Sequence, residues 1–387
     1  MDGLFATGVF EGFGPSRLAS CATAGSGCRT EVARPAQLKR LVQRDAPRSP
    51  GVYGMLNARG QLIYVGKAKC LRTRLLSYFR ARSRDPKAGR ILGHTRAITW
   101  EITTSEFAAL LRELELIQRW RPPFNVHGRP GRRRLIFICL GKPPARYAYL
   151  AAVPKAGMRV FYGPVRAGWR AREATRYLND YFKLRDCPKN QPFSFGKEGL
   201  FPDLQTVGCL RYEIGTCSGP CLGACTRAAY ERQLWRARDF LEGRDTSVLS
   251  ALEERMKSVS AALQFETAAN LRNQWLTLSW LHDSLTGLRT ACGAPPFVYP
   301  VQGRGGTIWF LVRNGFVAAC FARPESPEQK RAAMKIMQPL LENRRRSAPA
   351  TARDMDGVYL VAAWFRCHPE ERKKTIDIRT AMALCRS

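Results

Sequence analysis

Two short apolar runs, each built around a tyrosine, constrain this chain more than any other stretch. Pro50-Gly51-Val52-Tyr53 comes first, and Ile63-Tyr64-Val65-Gly66-Lys67 follows. Between them Asn57-Ala58-Arg59-Gly60 supplies turn residues, so the pair predicts the two strands of a β-hairpin. A basic helix is expected next, from Leu71 to Phe79. A further helix, from about Ser105 to Trp120, carries Glu113 and ends at Arg121-Pro122-Pro123, because proline cannot continue it. Thr99 to Thr103 alternates and reads as a third strand.

Tyr53, Tyr64, Lys67, Arg74, Glu113 and Asn125 put two phenols, an ammonium, a guanidinium, a carboxylate and a side-chain amide into one small domain. A phosphodiesterase needs a metal-binding carboxylate, a base for water, and cations on the transferring phosphoryl group. Singly, each residue has a plainer meaning: a strand tyrosine is usually packing, and a helix glutamate is usually solvated. The weight lies in their order and spacing.

That order resembles the GIY-YIG nucleases, and specifically the UvrC/Cho family of bacterial excision-repair incision proteins. The phrases PGVY, IYVGKAK, LRTRLLSYF and LIQRWRPPFNV are similar to that family almost word for word. The resemblance implies a role for each position. Tyr53 and Tyr64 would face one another across the hairpin. Tyr64, helped by Lys67, would act as general base or orient a metal-bound water. Arg74 would hold the scissile phosphate, and Glu113 would be the sole protein ligand of a divalent metal, Mg²⁺ or Mn²⁺. Asn125 would brace the site after the proline pair.

Composition narrows the partner. Lys+Arg number 63 against 31 Asp+Glu, a net charge of +32, which points to a polyanion. No run of about 18 apolar residues spans a bilayer, and the charge is spread along the chain, so nucleic acid is favoured over a membrane. Between Lys67 and Arg96 the only acid is Asp85, so positive charge peaks beside the proposed phosphate site. Binding should weaken steeply with salt. The 13 cysteines are an odd number with no secretory signal before them, which argues for a reducing cytoplasm over a disulfide scaffold.

The expected architecture is α+β and multidomain. Residues 1–45 form an N-terminal arm, partly disordered, with a short helix near Leu38 to Gln43. Residues 46–127 form the small α/β nuclease. Residues 128–186 form a basic α/β connector, with strands at Leu135 to Leu140, Tyr147 to Val153 and Val160 to Pro164, and a helix from Ala171 to Phe182. Residues 187–243 form a cysteine-rich module ending in a helix from Leu234 to Gly243. Residues 249–284 show helical periodicity broken at Gln264, which predicts a helical hairpin. Residues 290–387 form a small α/β module, with a hairpin about Asn314-Gly315 and a helix from Pro327 to Glu342. A strand over Val358 to Phe365 and a helix over His368 to Met382 finish it. Asp354 and Asp356 read as loop residues, and Arg344 to Arg346 as a solvated or DNA-facing run.

Clustered thiols in a reducing compartment usually mean metal. The spacings of Cys187, Cys209, Cys217, Cys221 and Cys225 are not those of paired zinc ligands, whereas an iron–sulfur cluster tolerates irregular spacing. Cys209 to Cys221 resembles the family phrase that helps bind a [4Fe-4S] cluster, which makes Cys187, Cys209, Cys217 and Cys221 the implied ligands. The interval from Pro188 to Gly208 is longer than the family's usual one, so Cys225 stands as a rival to Cys187; zinc or bare thiols are the alternatives.

Ala262 to Arg272 resembles the UVR motif through which the family meets UvrB, with Phe265 as anchor; an internally packed hairpin is the alternative. The family's RNase H-type nuclease and helix-hairpin-helix modules have no room in these 387 residues. The resemblance therefore implies a metal-dependent endonuclease making a single, 3′-side incision on damaged duplex DNA, recruited by UvrB. A stand-alone nuclease of restriction or mobile-element type, and a non-catalytic DNA-binding adaptor, are the other classes.

Overall fold

The computed structural model describes residues 8–18, 35–80, 86–125, 135–152, 160–187, 195–196, 208–303, 305–342 and 352–386. The chain divides into two compact units. One joins residues 1–133 to residues 291–387, and the other holds residues 134–290.

The first unit opens with α1 (Pro35–Asp45), β1 (Gly51–Leu56), β2 (Leu62–Ala68), α2 (Leu71–Ser77), α3 (Pro86–His94), β3 (Ala97–Ile102) and α4 (Glu106–Trp120). The expected hairpin is present, closed by Asn57, whose side-chain oxygen accepts from the Arg59 and Gln61 N–H groups. The sheet is antiparallel in the order β2-β1-β3, and all six residues of β1 are buried. Helix α3 falls in the basic stretch where no helix was expected.

Helix α4 begins where Ser105 Oγ accepts the Ala108 N–H at 3.1 Å and ends at Arg121 in a left-handed conformation (φ 46°). Its inner face, Ala109, Leu116 and Ile117, packs with Val52, Leu56 and Val65 of the hairpin. Residues 8–18 pack on the same core through Phe10 and Phe13, with Phe10 edge-on to Trp120. Arg112, buried on α4, holds them: it pairs with Glu101 at 2.8 Å and Glu115 at 3.0 Å and donates to the Gly14 carbonyl.

The second unit contains β4 (Leu135–Leu140), β5 (Ala148–Ala151), β6 (Phe161–Arg166), α5 (Trp169–Tyr181), α6 (Leu210–Glu213), α7 (Arg227–Leu241), α8 (Ser247–Ala261) and most of α9 (Phe265–Gly293). Its sheet runs β5-β4-β6. Helix α7 starts two turns before the expected Leu234, because Thr226 caps it by accepting the Ala229 N–H. The chain reverses between α8 and α9 at Leu263, in the left-handed region at φ 57°, which makes the expected helical hairpin. Phe182, Tyr230, Phe240, Leu278 and Leu281 centre the core.

The chain then returns to the first unit with β7 (Phe297–Gly303), β8 (Gly306–Arg313), β9 (Phe316–Ala322), α10 (Pro327–Glu342), α11 (Ala352–Cys367), α12 (Pro369–Arg372), β10 (Ile376–Asp377) and α13 (Ile378–Arg386). The sheet order is β10-β7-β8-β9, with Asn314-Gly315 turning β8 into β9 at positive φ. One sheet face carries α10 and α13 through Met337, Ala381 and Met382. The other packs Tyr299 and Phe310 against Phe107 of α4 and Trp364 of α11.

The C-terminal module differs from the sequence reading in three places. Val358 to Phe365 is helical rather than extended: Met355, Val358, Val361 and Trp364 are buried at three-residue spacing along α11. Asp354 and Asp356 lie in that helix rather than a loop, and Asp356 accepts from Gln118 at 3.2 Å. The stretch from His368 to Met382 is interrupted by β10. Arg344 to Arg346 and Val126 lie outside the described residues. No described helix is long and apolar enough to cross a membrane.

Candidate active site

Strand alternation sends Tyr53 and Tyr64 to one face of the hairpin. They are not direct partners as expected: Tyr53 stands opposite Gly66 and Tyr64 opposite Met55, so the phenols are diagonal neighbours with ring centroids 6.2 Å apart. A third phenol joins them. Tyr78, just beyond α2, meets the Tyr53 hydroxyl at 2.9 Å, and its ring lies 6.4 Å from that of Tyr64. Arg74, in the last turn of α2, donates from Nε to the Tyr53 hydroxyl at 3.3 Å and lays its guanidinium 5.3 Å over the Tyr78 ring.

Burial raises the Tyr53 and Tyr64 phenols well above the ordinary tyrosine range, and the neighbouring phenols raise them further. Both are therefore neutral near pH 7, and their hydroxyls can donate as well as accept.

Glu113 reaches the same face from α4. Its Oε1 accepts the Lys67 N–H at 3.1 Å. Desolvation pushes its carboxyl up to about 7, against the opposing pull of the Lys67 and Arg74 charges and of that N–H bond. The Lys67 ammonium turns to Glu106, 2.9 Å away. Tyr53, Tyr64, Lys67, Arg74, Glu106 and Glu113 all line one cavity of about 640 Å³.

Asn125 is buried beside this group rather than on the cavity wall. Its Oδ1 accepts the Val65 N–H at 2.8 Å and its Nδ2 donates to the Val65 carbonyl at 2.7 Å. With Phe124 N–H donating to Ile63 O, the tail of α4 pairs along the outer edge of β2 and holds that strand in place.

The donor set fits a hard divalent cation. A carboxylate that its surroundings hold protonated until about pH 7 gains most from a cation, and oxygen donors with room for water suit Mg²⁺. Two residues of the site were not anticipated. Tyr78 carried a signal, its position four after Arg74, which puts both on one helix face. Glu106 carried another, two turns before Glu113 on α4.

In the second unit, burial raises the Cys217 and Cys221 thiols, and neighbouring thiols add to it: Cys209 and Cys221 act on Cys217, and Cys187 and Cys209 act on Cys221. Of these thiols only Cys221 acts on Cys225, which is also bonded to Ser218. Among the described residues no three His, Cys, Asp or Glu side chains stand in metal-holding geometry. At the tip of the α8–α9 hairpin Leu263 is 72% and Phe265 64% exposed, so Phe265 is not an internal packing residue.

Residues 49–126 match the family model of the UvrC-like GIY-YIG domain, and residues 136–240 that of the UvrC/Cho excinuclease middle domain. Curated relatives are named UvrABC system protein C. The one from Sphingopyxis alaskensis is 34% identical over 295 residues, which is 75% of this chain and 44% of the relative. That from Psychrobacter arcticus is 35% identical over 274 residues, 70% of this chain and 41% of the relative. The chain thus spans less than half the length of these relatives. The solved GIY-YIG N-terminal endonuclease domain of UvrC from Thermotoga maritima, bound to magnesium, is 34% identical and covers 23% of this chain and 97% of its own, with a TM-score of 0.22.

Proposed function

We propose that this chain, which carries a UvrC-type GIY-YIG domain followed by a UvrC/Cho middle domain, is a metal-dependent DNA endonuclease of nucleotide excision repair that makes the 3′-side incision at a lesion. The observation that carries this reading is the convergence of Glu113, Arg74, Tyr53 and Tyr64 on one cavity, with Tyr78 hydrogen-bonded to Tyr53.

Each residue then has a task. Glu113 would hold the divalent ion, Mg²⁺ or Mn²⁺, which would supply Lewis acidity at the phosphoryl group. Arg74, aimed by Tyr53 and Tyr78, neutralises charge that develops on the phosphoryl oxygens. Tyr64, kept neutral by burial, orients the attacking water; a role as resting base fits its raised phenol less well. Asn125 keeps β2, and with it Tyr64 and Lys67, in register.

The rest of the chain would deliver DNA to that cavity. The charge of +32 favours backbone contacts, which carry no sequence information. Lesion recognition would belong to UvrB, engaged through the exposed Phe265 and Leu263 of the α8–α9 hairpin. Cys187, Cys209, Cys217 and Cys221 would hold a [4Fe-4S] cluster in the second unit. Cys225 stands as the rival to Cys187 in that set. An iron–sulfur absorbance band in anaerobically purified protein, lost in Cys217→Ser, tests the cluster.

The decisive experiment is nicking of a lesion-containing duplex with Mg²⁺, with and without UvrB. A 3′-side nick that needs UvrB supports the proposal. Sequence-specific cutting without UvrB would assign the chain to the mobile-element class. Binding without cutting under every condition would make it an adaptor.

A further inference from the structure

We infer that Glu106 is a positioning residue that acts through Lys67; the inference rests on the cavity being a phosphodiesterase site. Lys67 is clamped at both ends by α4. Its backbone N–H binds Glu113 and its ammonium binds Glu106, at 3.1 and 2.9 Å. Glu106 and Glu113 are seven residues apart, two helical turns, so both carboxylates rise from one face of α4 into one cavity.

The clamp answers a specific difficulty. A lysine ammonium is a compact charge on a flexible four-carbon stem. Beside an incoming phosphodiester it would swing to whichever phosphate oxygen lay nearest and stabilise the bound substrate as much as the transition state. Binding both states equally does not accelerate the chemical step. Glu106 gives the ammonium a fixed partner, and Glu106 is itself fixed. It is the first residue of α4, directly after the Ser105 cap and directly before Phe107, which is buried among Tyr299, Phe310 and Trp364.

The charges at the cavity make the consequence testable. Lys67, Lys69 and Arg74 face Glu106 and Glu113 there. Glu106→Gln makes this wall more positive without changing side-chain size. DNA should bind as well as before or better, so KM does not rise. The loss should fall on kcat, about 10- to 100-fold, the scale of a misplaced catalytic group. A residue that only supported the fold would instead lower the melting temperature and the active fraction.

The test is steady-state nicking by the full chain, in a cycle of wild type, Glu106→Gln, Lys67→Met and the double variant, each over a range of Mg²⁺. The inference expects kcat to fall in both single variants and the double variant to match Lys67→Met within about twofold, since groups acting as a unit are not additive. Glu106→Asp, which keeps the charge but shortens the reach, should recover part of the rate. Three results would overturn the inference: an unchanged kcat in Glu106→Gln, a further full loss on the Lys67→Met background, or a half-saturating Mg²⁺ concentration raised more than about tenfold, which would make Glu106 a metal ligand. If wild type does not cut, or if Lys67→Met cuts at the wild-type rate, the reading of the site fails first and takes the inference with it.

Discussion

The Tyr53 ring lies against the α-carbon of Gly66, its partner on the neighbouring strand, and no side chain fits between them. A methyl group on Gly66 would collide with the phenol itself. The glycine therefore makes room for Tyr53 to lie flat across β2 and reach both Tyr78 and Arg74. Gly66→Ala should displace the ring, destabilise the protein by about 1–3 kcal/mol, the usual range for overpacking, and abolish nicking. Denaturant unfolding together with the nicking assay checks this; near-wild-type cutting would separate Tyr53 from the chemistry.

Tyr78 lost only its hydroxyl in Tyr78→Phe would still fill its place in the core. The change removes the 2.9 Å bond to Tyr53 but leaves the ring beneath Arg74. Stability should fall by about 1 kcal/mol. Nicking should fall on the order of 100-fold if the phenols orient water and Arg74 as a unit. A rate within twofold of wild type would reduce Tyr78 to packing.

Glu113 should cost the metal-free protein stability. Its carboxyl, ordinarily near 4.5, is pushed up to about 7. The native state thus holds its proton more tightly than the unfolded chain does. Below pH 4.5 both states are protonated and nothing is lost; between 4.5 and 7 only the unfolded chain ionises, so stability falls with pH, and above about 7 the loss is complete. In EDTA at pH 8, Glu113→Gln should therefore be more stable than wild type, on the order of 1–3 kcal/mol, and the gap should close by about pH 4. Added Mg²⁺ should stabilise only the wild type. Thermal melts across pH read this, and a variant less stable at pH 8 would contradict it.

Phe107 ties α4 to the C-terminal sheet and α11, with ring centroids 5.2 Å from Tyr299, 5.0 Å from Phe310 and 5.3 Å from Trp364. β7, β8 and α11 thus support α4 on the side away from the hairpin. Phe107→Ala should lower stability by about 3–5 kcal/mol, seen by urea denaturation. A loss under 1 kcal/mol would mean that the C-terminal module does not support that helix.

How much of this was legible in the sequence follows from how local each signal is. The β1–β2 hairpin, α2 and α4 were readable because turn residues, helix period and a proline stop lie within a few residues of each element. The six anticipated nuclease residues came from the resemblance, and the structure gathers five of them at one cavity with Asn125 bracing β2. Tyr78 and Glu106 carry only a spacing signal, from Arg74 and from Glu113, and it is weak, since an aromatic at a helix end and an acid at a helix start each have an ordinary purpose. Val358 to Phe365 misled because its β-branched and aromatic residues favour a strand in isolation, while packing against β9 and α4 selects the helix. Strand β7 was hidden by Pro300. That residue lies beyond Phe297 and Val298, the two that pair with β10, on a stretch where one edge of β7 is open and the missing N–H is tolerated.

The most direct test of the central claim is single-turnover nicking of a lesion-bearing duplex, loaded with UvrB in Mg²⁺, by wild type and by Glu113→Ala. The account predicts a 3′-side nick by wild type, none by Glu113→Ala, and equal DNA affinity in the two. Cutting by Glu113→Ala at the wild-type rate would contradict it.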